Sequence, residues 1–83
     1  MEGVTRSKLI DVCSTVTGKP LEATASRERV ELRSGGKWVD SLPKNCGMRP
    51  NDLVPMDQAY FVLNRVVKGD PDQYRRGKQL LRV

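Results

Sequence analysis

The sequence has no histidine and only two cysteines among its 83 residues. Histidine is the commonest general base and the commonest metal ligand, and a structural zinc site needs four cysteine or histidine ligands. The chain also lacks a Walker-type phosphate loop and the GxGxxG and GxSxG motifs. We therefore expect no catalytic residues, no metal site and no cofactor, and we predict that the protein is not an enzyme.

Aromatic side chains and long apolar runs are also scarce. Only four aromatic residues are available as large core side chains. A chain of this length buries roughly 60% of the surface that its unfolded form exposes, so the sequence predicts a single domain, residues 1–83, with a thin core. No apolar run approaches the ~18 residues of a membrane span and no signal-type segment opens the chain, so we expect no membrane partner and a location in the bacterial cytoplasm or on the nucleoid.

The two cysteines are expected to be free thiols in a reducing compartment. Cys13 lies on the apolar stripe of the first predicted helix, and the chain has no histidine to activate it. We therefore expect it to pack in the core.

Positive charge is in excess, with a formal net charge of +5. Much of the excess lies in residues 65–83, which carry six basic side chains against two acidic ones. Such a balance favours polyanionic partners, above all nucleic acid. Residues 70–83 are accordingly interpreted as a basic C-terminal tail.

The N-terminal half is predicted to form a helix-turn-helix-like pair. The first helix is capped by Thr5 or Ser7 and ends at Thr17 and Gly18, because its apolar residues recur at helical spacing. Pro20 suits the first position of a second helix, and residues 20–28 contain enough helix formers for about two turns. One continuous strand through residues 20–33 remains the alternative.

The apolar period changes from helical to alternating at Arg29. Val30 and Leu32 alternate with charged residues, and Ser34-Gly35-Gly36 permits a tight reversal into Lys37-Trp38-Val39. The pattern predicts a short β-hairpin that forms a wing beside the helical pair.

The second half is predicted to contain an irregular connection, residues 41–55, and then a core helix. This helix begins at Pro55 and is stopped by Gly69, and its apolar stripe is Met56, Tyr60, Leu63 and Val67. Asp70-Pro71 starts a last helical turn through Tyr74, and the remainder is an extended arm or an edge strand. The predicted fold class is therefore α+β: a small single domain with a helix-turn-helix-like half, a hairpin wing and a C-terminal core helix.

These elements together indicate a surface for duplex DNA. A duplex binder needs one element that enters the major groove with polar or basic side chains, and cations that hold phosphates. The candidates in the second helix, the hairpin and the tail are Lys19, Thr24, Ser26, Arg27, Arg29, Arg33, Lys37, Arg75, Arg76 and Lys78. The alternative for residues 29–33 is an ordinary strand whose mixed charges face water.

The run 12–39 carries a resemblance as well: a helix that ends in Thr17-Gly18, a small residue at Ala23, and Gly36-Lys37-Trp38 in the wing. This succession is similar to the opening of small winged-helix excisionases and related regulators of phages and mobile elements. The resemblance implies sequence-specific binding and bending of duplex DNA without catalysis. The chain departs from that pattern at Glu28, where the recognition helix of the family usually has an aliphatic residue.

A second class of function is a small phage-type protein-interaction module or inhibitor. It would bind a larger host protein or nucleoprotein complex, or another copy of itself. This alternative depends on the even charge mix of residues 1–64 and on Leu80-Leu81, which we expect to be an exposed apolar anchor in a cationic surround.

Overall fold

The computed structural model describes residues 2–83 and forms three helices and two small antiparallel sheets within them. The elements are β1 (Gly3–Thr5), α1 (Arg6–Thr17), β2 (Glu22–Ala25), β3 (Val30–Ser34), β4 (Lys37–Leu42), β5 (Leu53–Pro55), α2 (Met56–Val66) and α3 (Pro71–Leu81). Strand β1 pairs with β5, and β2, β3 and β4 form the second sheet in that order. The small single α+β domain predicted from the sequence is confirmed.

Helix α1 begins and ends where its sequence predicts. The Thr5 Oγ1 atom accepts a hydrogen bond from the Lys8 N–H at 3.2 Å, which satisfies one of the free N–H groups of the first turn. Gly18 takes the left-handed conformation, with φ +70°, and its N–H donates to the Ser14 carbonyl at 2.9 Å. The whole predicted stripe is buried: Leu9, Val12, Cys13 and Val16.

The predicted helix over residues 20–28 is wrong, because this stretch contains strand β2. Ala23 lies opposite Leu32 and Ala25 opposite Val30 in the pairing with β3. Leu21 is buried and Ala23 packs against the core, so the segment follows a two-residue apolar period and offers a helix no stripe of its own. Sheet pairing therefore decides its structure over the helix propensity of its residues.

The hairpin of β3 and β4 is confirmed. Its turn residues Gly35 and Gly36 both have positive φ, +58° and +81°, which is the conformation of a type I′ turn and which glycine adopts without strain. Val30, Leu32 and Leu42 point into the core from its inner face and are completely buried.

The connection over residues 43–52 is irregular, as predicted, but it leads into a strand that sequence reasoning missed. Strand β5 pairs with β1, and Val4 lies opposite Val54. Arg6 fixes the connection to the start of α1, because its buried Nη1 donates to the carbonyls of Gly47 and Met48 at 3.2 and 2.9 Å. These bonds satisfy backbone acceptors that helices or strands do not use.

Helix α2 is the predicted core helix, with Ala59, Val62 and Leu63 fully buried. It packs against β4, α1 and α3, so it lies at the centre of the fold. Of the described residues 2–83, no helix is both long and apolar enough to cross a membrane.

The C-terminal tail is neither an extended arm nor an edge strand, because residues 71–81 form helix α3. The predicted cap is correct: the Asp70 side chain accepts from the N–H groups of Asp72 and Gln73, with Pro71 at the first position. The helix continues past Tyr74 because its own apolar face packs on α1, and Leu81 is only 2% exposed. The prediction of an exposed Leu80-Leu81 anchor is therefore wrong, since Leu80 also packs against the core.

Candidate nucleic-acid interface

A cleft of about 490 Å³ opens where the ends of several elements meet. Its lining comes from the end of α1 and the residues after it, from the start of β4, from the C-terminal end of α2 and the residues after it, and from Gln73 of α3. Four cationic side chains and one tryptophan line it: Lys19, Lys37, Arg65, Lys68 and Trp38. Among the described residues, 2–83, no carboxylate lines this cleft.

The cleft keeps a net positive charge after the nearby carboxylate and the helix ends are counted. Arg65 is neutralised by Asp40, whereas Lys19, Lys37 and Lys68 form no ion pair with the described residues. The C-terminal ends of α1 and α2 contribute roughly −0.5 charge each. About two positive charges remain, so phosphate or another anion is the ligand that this site favours.

Arg65 is held in place by three groups. Its Nε and Nη2 atoms lie 3.0 and 2.9 Å from the two carboxylate oxygens of Asp40, a bidentate pair, and Nη2 also donates to the Ser41 carbonyl at 3.5 Å. Its guanidinium stacks over the ring of Phe61, 4.4 Å from the ring centroid. The Arg65 side chain is still 43% exposed, so it remains accessible from the cleft.

Trp38 faces outward because of a β-bulge in β4. Leu32 lies opposite Asp40 but Arg33 lies opposite Trp38, so Val39 is an extra residue in β4. In a regular strand of the same sequence, the two-residue period would place Trp38 on the same face as buried Asp40. Because of the bulge, Trp38 lies opposite Arg33 on the solvent face of the sheet and is 53% exposed.

The predicted site residues are dispersed over the molecule. Lys19 and Lys37 lie together in the cleft. Thr24 and Arg33 lie on the outer face of the sheet, where Arg33 pairs with Glu31 at 3.0 Å and donates to the Gly36 carbonyl. These last two side chains are therefore near the hairpin but outside the cleft.

The turn between β2 and β3 contains three more of the predicted residues. Ser26 stabilises this turn, because its hydroxyl donates to the Arg29 carbonyl at 3.0 Å and accepts from the N–H groups of Glu28 and Arg29. Arg27 and Arg29 are exposed in the turn, and neither lines the cleft.

Helix α3 carries the remaining three predicted residues. Arg75 pairs with Asp72 of its own helix at 3.1 Å, and Arg76 is exposed. The Lys78 Nζ atom lies 4.9 Å from the Tyr74 ring centroid and 5.7 Å from that of Tyr60, so Lys78 covers two aromatic rings. None of the three lines the cleft.

Sequence reasoning missed Arg65, Lys68 and Trp38 as members of one site. Arg65 lies in the last turn of α2 and Lys68 lies two residues after the end of that helix, whereas Trp38 is 27 positions before Arg65 in the chain. For Arg65 and Lys68, the sequence feature that could have identified them as site residues is their position at the end of a predicted helix. Nothing in the sequence marked the bulge that turns Trp38 outward.

The buried cysteine has no chemical role in this arrangement. Desolvation by burial, with a smaller contribution from the negative charge of Asp40, raises the pKa of Cys13 to about 12. Desolvation by burial, with a smaller contribution from the negative charge of Asp57, also raises the pKa of Cys46. Both thiols are therefore protonated at neutral pH, and neither forms a disulfide, as expected.

Comparisons with protein-family models, with curated proteins and with solved structures gave no significant match. The resemblance to winged-helix excisionases stays a prediction. Of the elements that it implies, α1 and the hairpin are present, whereas strand β2 replaces the recognition helix. The function must therefore be argued from the cleft itself.

Proposed function

We propose that this protein is a non-enzymatic DNA-binding accessory protein that holds the phosphate backbone in the cationic cleft. The observation that carries the proposal is the convergence of Lys19, Lys37 and Lys68 with Arg65 where no carboxylate lines the surface. Clustered cations release the counterions of a nucleic acid when they bind its phosphates, and this release drives most non-specific binding.

The proposal keeps the accessory, regulator-like role predicted from the sequence and changes the contact surface. Insertion of a helix from residues 20–28 into the major groove has no structural basis, because β2 is a strand. The hairpin and the cleft beside it take over the contact with duplex or single-stranded DNA. With DNA as its partner, the protein is proposed to act in the bacterial cytoplasm or on the nucleoid.

The test compares two double variants that remove the same charge. Lys19→Ala/Lys68→Ala removes two exposed cations of the cleft, and Lys44→Ala/Arg82→Ala removes two exposed cations outside it. Fluorescence anisotropy with labelled DNA at low salt measures each affinity. We expect the cleft variant to bind about tenfold or more weakly than the wild type and the control variant to lose only about twofold.

Two results would overturn the proposal. One is the absence of DNA binding at low salt, and the other is an equal loss of affinity in the two double variants. A third variant, Arg27→Ala/Arg29→Ala, separates the cleft from the surface predicted by the sequence, since both arginines lie in the exposed β2–β3 turn. We expect this variant to bind DNA like the control.

The alternative function, a protein-interaction module, loses one of the two observations that motivated it and keeps the even charge mix of residues 1–64. Leu81 is buried and Leu80 packs against the core, so they are not an exposed anchor. A pull-down from nuclease-treated host lysate still distinguishes the two functions. One protein partner retained in equal amount, together with no mobility shift of DNA, would favour the alternative.

A further inference from the structure

We propose that the preferred ligand of the cleft is single-stranded DNA, with one unpaired base stacked on Trp38. This inference rests on the proposed function, because it specifies the form of nucleic acid that the same cleft binds. It is carried by the position of one aromatic side chain among the cations.

Trp38 is the single tryptophan of the chain, and it is left out of the core. Its side chain is 53% exposed in a small domain that has only four aromatic residues with which to fill a thin core. The hydrophobic effect favours burial of such a side chain. Phe61 is equally exposed, at 54%, but what distinguishes Trp38 is its place among the cations of the cleft, where its ring offers an aromatic face on which a ligand can stack.

The bulge determines where this ring points. Val39 is the extra residue, and because of this bulge Trp38 lies opposite Arg33 on the outer face of β4 and lines the cleft next to Lys37. Bulges occur frequently next to functional sites because they redirect a single side chain. Here the redirected side chain joins Arg65 and the lysines in one lining.

An aromatic face among lysines matches a single strand better than a duplex. In a duplex the flat faces of the bases are stacked on one another, so a protein reads the backbone and the base edges. In a single strand the base faces are free, and proteins bind such strands by combining a cationic groove with aromatic rings on which the bases stack.

The size of the cleft is compatible with the same ligand. Its volume of about 490 Å³ lies within the range of roughly 300–1,000 Å³ that is typical of sites for small molecules. Such a volume is large enough for one nucleotide.

The experiment uses the fluorescence of Trp38, which reports on this site alone because the chain has no other tryptophan. The full chain is titrated at low salt with a single-stranded oligonucleotide of about ten nucleotides, its duplex, and an abasic strand of the same length. A free nucleotide serves as a fourth probe. We expect the single strand to quench Trp38 and to bind more tightly than the other three.

Substitution of Trp38 provides the matched test. The Trp38 variants have no tryptophan fluorescence, so anisotropy of labelled strands measures their affinities beside the wild type. We expect Trp38→Ala to weaken binding of the single strand by about five- to 150-fold, because a base–aromatic stack is lost, and to weaken binding of the abasic strand much less. Trp38→Phe keeps an aromatic face and should retain most of the affinity. Circular dichroism of both variants checks that the hairpin still folds.

The failure of this inference is distinguishable from failure of the proposed function. If the single strand and the abasic strand bind equally, or if Trp38→Ala binds the single strand like the wild type, base stacking is excluded while DNA binding stands. Tightest binding by the free nucleotide would also overturn the single strand as ligand. If none of the four probes binds, both proposals fail.

Discussion

Asp40 and Arg65 form a bidentate ion pair between strand β4 and helix α2, with N–O distances of 3.0 and 2.9 Å. The Asp40 residue is only 5% exposed, whereas the Arg65 side chain is 43% exposed. A buried carboxylate is costly unless it is paired and hydrogen-bonded. This pair therefore both fixes the hairpin to the core helix and positions the cation that lines the cleft.

We predict that Arg65→Ala lowers the free energy of unfolding by about 1–3 kcal/mol, because it leaves the carboxylate of Asp40 buried without a partner. The value is below that for a fully buried pair, since solvent screens the arginine. Urea unfolding monitored by Trp38 fluorescence measures the loss. In the double variant Asp40→Asn/Arg65→Ala the loss should be smaller than the sum of the two single losses, and strict additivity would show that the pair contributes nothing.

Most of the fold could be predicted because its signals are local. The stripe and caps of α1, the Gly35-Gly36 turn and the apolar face of α2 each lie within one segment of the chain. The errors lie where contact with another segment decides the structure. Strand β2 forms because it pairs with Val30 and Leu32 of the next strand, and β1 and β5 form because they pair with each other from opposite parts of the chain. Helix α3 continues to Leu81 because its face packs on α1. Only two of the ten predicted site residues, Lys19 and Lys37, line the cleft, since three distant segments converge to form it.

The salt dependence of DNA binding should be moderate. Lys19, Lys37 and Lys68 together contact about three phosphates, so the plot of log affinity against log salt should have a slope of roughly −2 for a single strand. The slope is measured by anisotropy over a salt series. A slope of roughly −5 or steeper would mean that many more phosphates are neutralised, and hence that cations outside the cleft also bind the backbone.

Gly77 is a helical glycine that should not tolerate alanine. In most exposed helices Gly→Ala is stabilising by roughly 0.5–1 kcal/mol. A Cβ atom on Gly77, however, would lie 2.7 Å from both Cδ atoms of Leu63, and Leu63 is completely buried and cannot move aside freely. Overpacking of this kind costs about 1–3 kcal/mol, so we predict that Gly77→Ala destabilises the protein by about 1 kcal/mol.

Thermal unfolding of Gly77→Ala in the wild-type protein and in the Leu63→Ala variant checks the reason for this loss. In Leu63→Ala, which itself costs about 2–5 kcal/mol, the space beside Gly77 is vacated and the added methyl group should become stabilising. Gln79→Ala, at an exposed position of the same helix, controls for helix propensity and should change the stability by less than about 0.5 kcal/mol. A Gly77→Ala protein more stable than the wild type would contradict the packing described for α3 and α2.

Burial of Cys13 makes the stability fall at alkaline pH. The pKa of this thiol is about 12 in the folded protein, against 9.0 for an unperturbed cysteine. The unfolded chain therefore releases the thiol proton first, so the contribution is complete below about pH 9 and is lost progressively between about pH 9 and 12. At about pH 10 the loss from this group is roughly 1.4 kcal/mol.

The measurement is urea unfolding of the wild type and of Cys13→Ala at about pH 7.5 and pH 10. The variant lacks the thiol and keeps every other titrating group, including Cys46, so the difference between the two pH dependences isolates Cys13. We expect the free energy of unfolding of the wild type to fall by about 1.4 kcal/mol more than that of the variant. Parallel pH dependences would mean that Cys13 titrates normally and that water reaches it between α1 and its neighbours.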